Sequence, residues 1–101
     1  MIELKKKFIK SGIEFEQIFK DDVLVIYQLS KTYDDGYVSK WFEVFKYTVR
    51  KPDIYHSDRF EKYPGDEQFG LWAWSCSNKD VVQKVLNREF PTHPMTKVWN
   101  A

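Results

Sequence analysis

The chain of 101 residues carries 16 Lys and Arg against 15 Asp and Glu, a formal net charge of +1 at pH 7. Its length predicts one domain, and 43% hydrophobic with 31% charged residues excludes a disordered chain. Strong nucleic-acid binders carry a clear basic excess, so this charge disfavours nucleic acid as the partner. One cysteine, no apolar leader and no run of about 18 apolar residues predict a cytoplasmic protein that contacts no membrane.

The first half of the sequence predicts a four-stranded antiparallel meander. Apolar and polar residues alternate in four runs, over residues 2–9, 13–19, 23–30 and 37–50. The turn residues between them are Ser11-Gly12, Lys20-Asp21-Asp22 and Asp34-Asp35-Gly36, the last being the strongest hairpin signal in the chain. The third run is apolar on both faces and belongs at the centre of a sheet. Pro52 ends the last strand because it cannot donate a ladder hydrogen bond.

The second half predicts a strand and a helix after an irregular segment. Residues 52–69 have no clear period, and their length indicates a functional loop or an unrecognised element. Within this segment, Tyr63-Pro64-Gly65-Asp66 has the proline and glycine of a type II turn. Residues 71–76 are predicted to form a fifth strand, with a first helical turn as the alternative. Ser77 with Asp80 resembles a capping box. The helical stripe that follows consists of Val81, Val82, Val85, Leu86 and Phe90, and Pro91 ends it.

These elements predict the α+β fold class, with an antiparallel sheet of four or five strands and one C-terminal helix packed on one face. The domain is predicted over residues 1–91. Residues 92–101 form a tail that we expect to be loosely ordered unless Trp99 docks on the domain. Gly70 is expected to adopt a backbone conformation that other residues rarely reach.

The order of several motifs resembles a family of small uncharacterised proteins from Bacteroidetes, bacteriophages and prophages. The resemblance rests on Trp41-Phe42-Glu43-Val44-Phe45, on Tyr63-Pro64-Gly65-Asp66-Glu67-Gln68-Phe69-Gly70, and on Ala73-Trp74 before a closing helix. It covers roughly residues 13–90. The resemblance implies a source and a fold, and it implies no activity and no catalytic residue. If a phage encodes the protein, the expected location is the host cytoplasm.

No catalytic, cofactor-binding or metal-binding residue is predicted, so the sequence is interpreted as that of a protein without enzymatic activity. His56-Ser57-Asp58 holds the residue types of a hydrolytic triad, but adjacent side chains cannot align as nucleophile, base and orienting group. A solvated loop is the preferred interpretation. Cys76 follows two tryptophans in an apolar run, which favours an inert buried thiol. Two histidines and one cysteine make no familiar metal spacing, and the sequence has no glycine-rich phosphate loop.

The 18 aromatic residues carry the functional hypothesis. One helix would leave the second sheet face exposed, and a large aromatic patch is uncommon on a monomer. The candidate interaction surface consists of Trp41, Phe42, Phe45, Tyr47, Tyr55 and Phe60. We therefore expect a small accessory protein of phage or mobile-element type that binds a protein partner or forms a homodimer. The alternative is a module that binds single-stranded nucleic acid through the aromatic residues and lysines of a sheet face.

Overall fold

A computed structural model describes residues 1–100. These residues form seven strands, two helices and one 3-10 turn. The strands are β1 (Lys7–Lys10), β2 (Ile13–Lys20), β3 (Leu24–Thr32), β4 (Val38–Lys46), β5 (Val49–Arg50), β6 (Phe60–Glu61) and β7 (Ala73–Cys76). The helices are α1 (Lys79–Glu89) and α2 (Pro94–Val98), and the 3-10 turn is Asp66–Gln68. The main sheet has the order β1-β2-β3-β4-β7 and is antiparallel, while β5 and β6 pair in a small sheet. The predicted α+β class is confirmed.

Two predicted hairpins join β1 to β2 and β3 to β4, because their turns contain residues that hold positive φ. Ser11 and Gly12 have φ of 53° and 75°, as a tight type I′ turn requires. In the second hairpin Gly36 has φ of 86°, and the amide of Tyr33 donates to the carbonyl of Tyr37 at 2.8 Å. These turns fix the register in which β1 to β4 follow one another as a meander.

Helix α1 packs on one face of the main sheet through the predicted apolar stripe. Val85 and Leu86 are buried against side chains of β3, β4 and β7. The N-cap is Asn78 and not the predicted Ser77, because the Asn78 side-chain oxygen accepts from the amide of Val81 at 3.0 Å. The helix therefore begins at Lys79.

The C-terminal segment docks beside α1 through Trp99, which is the condition under which residues 92–101 were not expected to be loosely ordered; residue 101 lies outside the described residues. His93 caps α2, since its Nδ1 accepts from the amide of Met95 at 3.0 Å. The Trp99 ring packs edge-on against Phe42 with centroids 5.6 Å apart, and its Nε1 donates to the carbonyl of Lys79 at 2.9 Å. Contact area from a large aromatic ring offsets the cost of ordering so short a segment.

The opposite face of the main sheet is covered by the chain itself, so the expectation of an exposed second face is wrong. Residues 1–5 and 60–72 lie across it. The Tyr63 ring inserts among the aromatic side chains of this face, 5.1 Å from Tyr27 and 4.9 Å from Phe45 between centroids. We call these two segments the covering layer.

The N-terminal residues belong to the covering layer and not to β1. Ile2 forms a parallel bridge with Phe60. Its amide donates to the carbonyl of Arg59 at 2.7 Å, and its carbonyl accepts from the amide of Glu61 at 2.9 Å. Strand β1 consequently begins at Lys7, well inside the predicted run 2–9.

Two glycines of the covering layer, Gly65 and Gly70, differ in backbone conformation. Gly65 has φ of −82°, so the predicted type II turn, which needs positive φ at that position, is wrong. Its amide donates to Oε1 of Gln68 at 2.6 Å and so starts the 3-10 turn. Gly70 has φ of +92°, as expected, and its amide donates to the carbonyl of Ala73 at 2.7 Å where β7 begins.

Candidate functional site

The six aromatic residues of the predicted interaction surface do not lie on one surface. Phe42 is buried under the helices, Phe45 is buried on the opposite face, and Phe60 is buried in the small sheet. Trp41 and Tyr47 are half-buried against the covering layer. Successive residues of a strand point to opposite faces, so this run supplies two cores and no continuous exposed patch.

The sixth member, Tyr55, is 83% exposed in the loop between β5 and β6, which also holds the predicted triad residues. Nδ1 of His56 lies 2.9 Å from Oδ1 of Asp53, and its ring stacks on Phe60 with centroids 3.7 Å apart. Asp58 binds the N-terminal amine at 2.9 Å. His56 and Asp58 thus contact Asp53, Phe60 and the N-terminal amine.

Cys76 is fully buried beneath α1, and burial raises the pKa of its thiol to about 11. Such a thiol is protonated at neutral pH and is a poor nucleophile, which agrees with the inert thiol predicted. Over residues 1–100, no group of three or more His, Cys, Asp or Glu side chains is arranged to hold a metal ion.

Part of the helix-side face of the main sheet lies beyond α1 and α2 and forms a concave region of about 630 Å³. Gln28 pairs with Phe42, which packs against Trp99, and this register places the region on the helix side. The residues that line it are Lys7, Phe8, Ile9, Glu14, Phe15, Glu16, Gln28, Ser30 and Lys40. We call this region the open face. The rings of Phe8 and Phe15 point to the other side of the sheet, so the side chains presented here are mostly polar.

The open face carries two acidic and two basic side chains. Lys7 and Glu16 form an exposed ion pair at 3.4 Å, which contributes about 0–1 kcal/mol. Glu14 and Lys40 pair with Ser30 from either side, so their Cα atoms lie about 10 Å apart by strand spacing. Within residues 1–100 neither Glu14 nor Lys40 forms an ion pair. The face thus presents one carboxylate and one ammonium on the two strands that neighbour β3.

A buried carboxylate ties the covering layer to the main sheet. Glu61 accepts from Nζ of Lys20 at 2.7 and 3.0 Å, from the hydroxyl of Tyr47 at 2.5 Å and from the amide of Leu4 at 2.8 Å. Burial raises the pKa of Glu61, but these hydrogen bonds outweigh it and hold the pKa below its usual 4.5. The hydrogen bond to Glu61 in turn raises the pKa of Tyr47 to about 12. Both carboxylate oxygens are occupied, so the role of Glu61 is structural.

A second carboxylate, Glu43 on β4, lies under the covering layer and accepts from the hydroxyl of Tyr63 at 2.6 Å. Burial raises the pKa of Glu43, and nearby Asp66 adds to this effect, while Tyr63 and Lys10 act in the opposite direction. The net pKa of Glu43 is above its usual value. Because Tyr63 sits directly on it, Glu43 fixes the position of the covering layer.

A third polar contact joins His93 to Asp21, with Nε2 and Oδ2 2.6 Å apart. Nδ1 accepts from the Met95 amide, so the hydrogen bonds assign the proton to Nε2. Burial alone would raise the pKa of Asp21, but hydrogen bonds from the amides of Leu24 and Val23 and from His93 hold the pKa below its usual value. Both nitrogens of His93 are engaged, so it anchors α2 and does not serve as a general base.

The open face and these three polar contacts were not predicted from the sequence. Glu61 and Leu4 are 57 residues apart, and no local pattern marks such a pair. The open face could have been found from element lengths. An 11-residue helix such as α1 is about 16 Å long, whereas the nine-residue strand β3 spans about 30 Å, so the helix cannot cover the whole face.

No family model, curated protein or solved structure matches this chain. Among residues 1–100, the helices are too short or too polar for a membrane crossing.

Proposed function

We propose that the chain is a small non-enzymatic accessory protein, of the phage or mobile-element type that its resemblance implies, and that it acts in the cytoplasm by binding another protein. The open face is the single observation that carries this proposal. Much of the rest of the main sheet is packed against its own helices or its own covering layer. The open face is concave and rigidly framed by four hydrogen-bonded strands, as a binding surface requires.

The charges of the open face define the chemistry of the partner. Glu14 and Lys40 would be matched by a basic and an acidic side chain on the partner. Ile9, which is 71% exposed, and Val38, which is 45% exposed, add apolar area on β1 and β4. This mixture favours a folded protein surface, because the carboxylate of Glu14 and its neighbour Glu16 would repel a polyanion.

The shape of the open face restricts the partner further. The helical layer beside it is about 10 Å thick, so the open face lies one layer below the helices. A single helix or a hairpin of the partner would fill this depth. The alternative partner is a second copy of the chain. A measurement of self-association distinguishes this homodimer from a complex with another protein.

The nucleic-acid alternative requires exposed rings on a sheet face. Phe42 and Phe45 of β4 are buried in the two cores, which favours the protein-binding proposal.

The test uses two variants with the same substitution. Ser30→Arg places a bulky cation at the centre of the open face, and Ser75→Arg places it at an exposed position on β7. We expect the nuclease-treated wild type and the Ser75→Arg control to retain the same partner from a host lysate, and Ser30→Arg to lose it while melting like the wild type. A partner retained by folded Ser30→Arg, or lost on nuclease treatment, would contradict the proposal. Sedimentation of the purified chain separates the two occupants, since self-association abolished by Ser30→Arg would assign the face to a second copy.

A further inference from the structure

The small sheet frames a second concave region, of about 610 Å³. It is lined by Val49, Arg50, Lys51, Asp53, Phe60 and Lys62. We call it the ribbon groove. Arg50 and Phe60 are direct cross-strand partners, so a cation and an aromatic ring share one face of the ribbon. The groove lies on different strands from the open face and does not share a lining residue with it.

The ribbon groove is more basic than the chain as a whole. Its three cations and one anion give a charge of +2, compared with +1 for all 101 residues. The anion, Asp53, is turned toward its own loop. Its Oδ1 accepts from the amides of Tyr55 and His56 at 2.8 Å each and lies 2.9 Å from Nδ1 of His56. The cations Arg50 and Lys51 are exposed, so the groove presents positive charge to solvent.

The loop that follows the lining residue Asp53 exposes aromatic surface. Tyr55, two residues along the chain from Asp53, is 83% exposed. The imidazole of His56 stacks on Phe60 with an interplanar angle of 13°, and its side chain is 37% exposed. His56 thus contacts the ribbon through Phe60, the cross-strand partner of Arg50, and the exposed Tyr55 directly precedes His56 in the chain.

We propose that the ribbon groove binds a short stretch of single-stranded nucleic acid. Arg50, Lys51 and Lys62 neutralise phosphates, and a base stacks on the exposed ring of Tyr55. An acidic peptide would also pair with the three cations, but it would have no group to stack on the Tyr55 ring. The exposed ring therefore favours nucleic acid over an acidic peptide. This function is separate from protein binding at the open face, and the failure of one proposal leaves the other intact.

The test measures the fluorescence anisotropy of a labelled oligothymidylate of about 15 nucleotides as salt is raised. Three phosphate contacts predict that log K falls with log salt at a slope of about −2, and Arg50→Gln/Lys51→Gln should reduce the slope to about −0.7. Lys79→Gln/Lys84→Gln removes the same charge from exposed positions on α1 and should leave the slope unchanged. Tyr55→Ser should lower the affinity roughly 5- to 150-fold and leave the slope unchanged, since it removes stacking alone.

Several results would overturn the proposal. Absence of binding at low salt, or equal loss in the ribbon and control variants, would show that the groove is not a specific site. Competition by an oligoglutamate of similar length, together with unchanged affinity of Tyr55→Ser, would show an acidic-peptide site instead. Circular dichroism checks the fold of each variant. If Arg50→Gln/Lys51→Gln does not fold, the exposed Tyr55→Ser variant still decides the question.

Discussion

Replacement of Glu61 by alanine should remove the strongest tie between the covering layer and the main sheet. The change deletes an acceptor for four hydrogen bonds and leaves the ammonium of Lys20, whose side chain is 22% exposed, without its counter-charge. The hydroxyl of Tyr47 and the amide of Leu4 also lose their acceptor. Breaking one side of a buried ion pair costs about 3–5 kcal/mol, which is a large share of the roughly 5–15 kcal/mol of a typical domain.

Thermal unfolding followed by circular dichroism measures this loss. At about 4 °C per kcal/mol for a chain of this size, the melting temperature of Glu61→Ala should fall by about 12–20 °C. Glu14→Ala, at an exposed position on β2, is the control and should shift stability by no more than about 0.5 kcal/mol. A melting temperature of Glu61→Ala within about 2 °C of the wild type would refute the structural role of this network.

The pH dependence gives an independent check of the same reasoning. The pKa of Glu61 is lower in the folded chain than its usual 4.5, so the folded state favours the carboxylate. Its stabilising contribution is present above pH 4.5 and is lost as the pH falls through the lower folded value. The difference in unfolding free energy between wild type and Glu61→Ala should therefore shrink in acid. A difference that grew in acid would mean that the folded-state pKa is raised.

Three further predictions concern other parts of the fold. Leu86→Ala, at a fully buried position of α1, should lower the unfolding free energy in urea by about 2–5 kcal/mol, whereas Leu71→Ala, at a position 72% exposed, should have little effect. Glu43→Gln should stabilise the chain at neutral pH, because burial raises the pKa of Glu43 and makes its charged form costly in the folded state. The extra stability of the Gln variant should disappear below pH 4.5, where Glu43 is protonated in both states. A Gln variant less stable than the wild type at neutral pH would contradict this prediction. Gly70→Ala and Gly36→Ala should each cost about 1–2 kcal/mol in thermal melts, since both positions have positive φ and space for a Cβ, and a neutral result would mean that the turns relax.

Local signals were enough to predict the main sheet and helix α1. Gly12 and Gly36 mark turns that require positive φ, which glycine adopts easily. The alternation of apolar and polar residues between those turns determines which residues of each strand share a face. The stripe that contains Val85 and Leu86 likewise follows from the helical period. These features depend on residues close together in the sequence, and they were predicted for that reason.

The covering layer could not be predicted because its contacts join distant residues without a period. Ile2 pairs with Phe60, and Tyr63 packs in the aromatic cluster. The Pro64-Gly65 pair predicted a type II turn after Tyr63, whereas the chain forms a 3-10 turn there. The sequence nevertheless held a clue. A strand with Phe42 on one side and Phe45 on the other needs cover on both faces, and residues 60–72 contain the aromatic side chains for it. The prediction of an exposed aromatic patch was wrong because the covering layer lies over that face. The surface that remains uncovered is the open face, on the helix side of the sheet.

The long sequence separation across the covering layer has a consequence for the order of folding. The hairpins from β1 to β4 close through short turns, whereas the bonds of Glu61 to Lys20 and Leu4 must close loops of 41 and 57 residues. Loop-closure entropy delays such contacts, so we expect the meander to form first and the covering layer to assemble on it. The same layer should open first under native conditions. Amide protons of residues 2–4 and 60–62 should then exchange through a partial opening, while those at the centre of β3 exchange only through global unfolding.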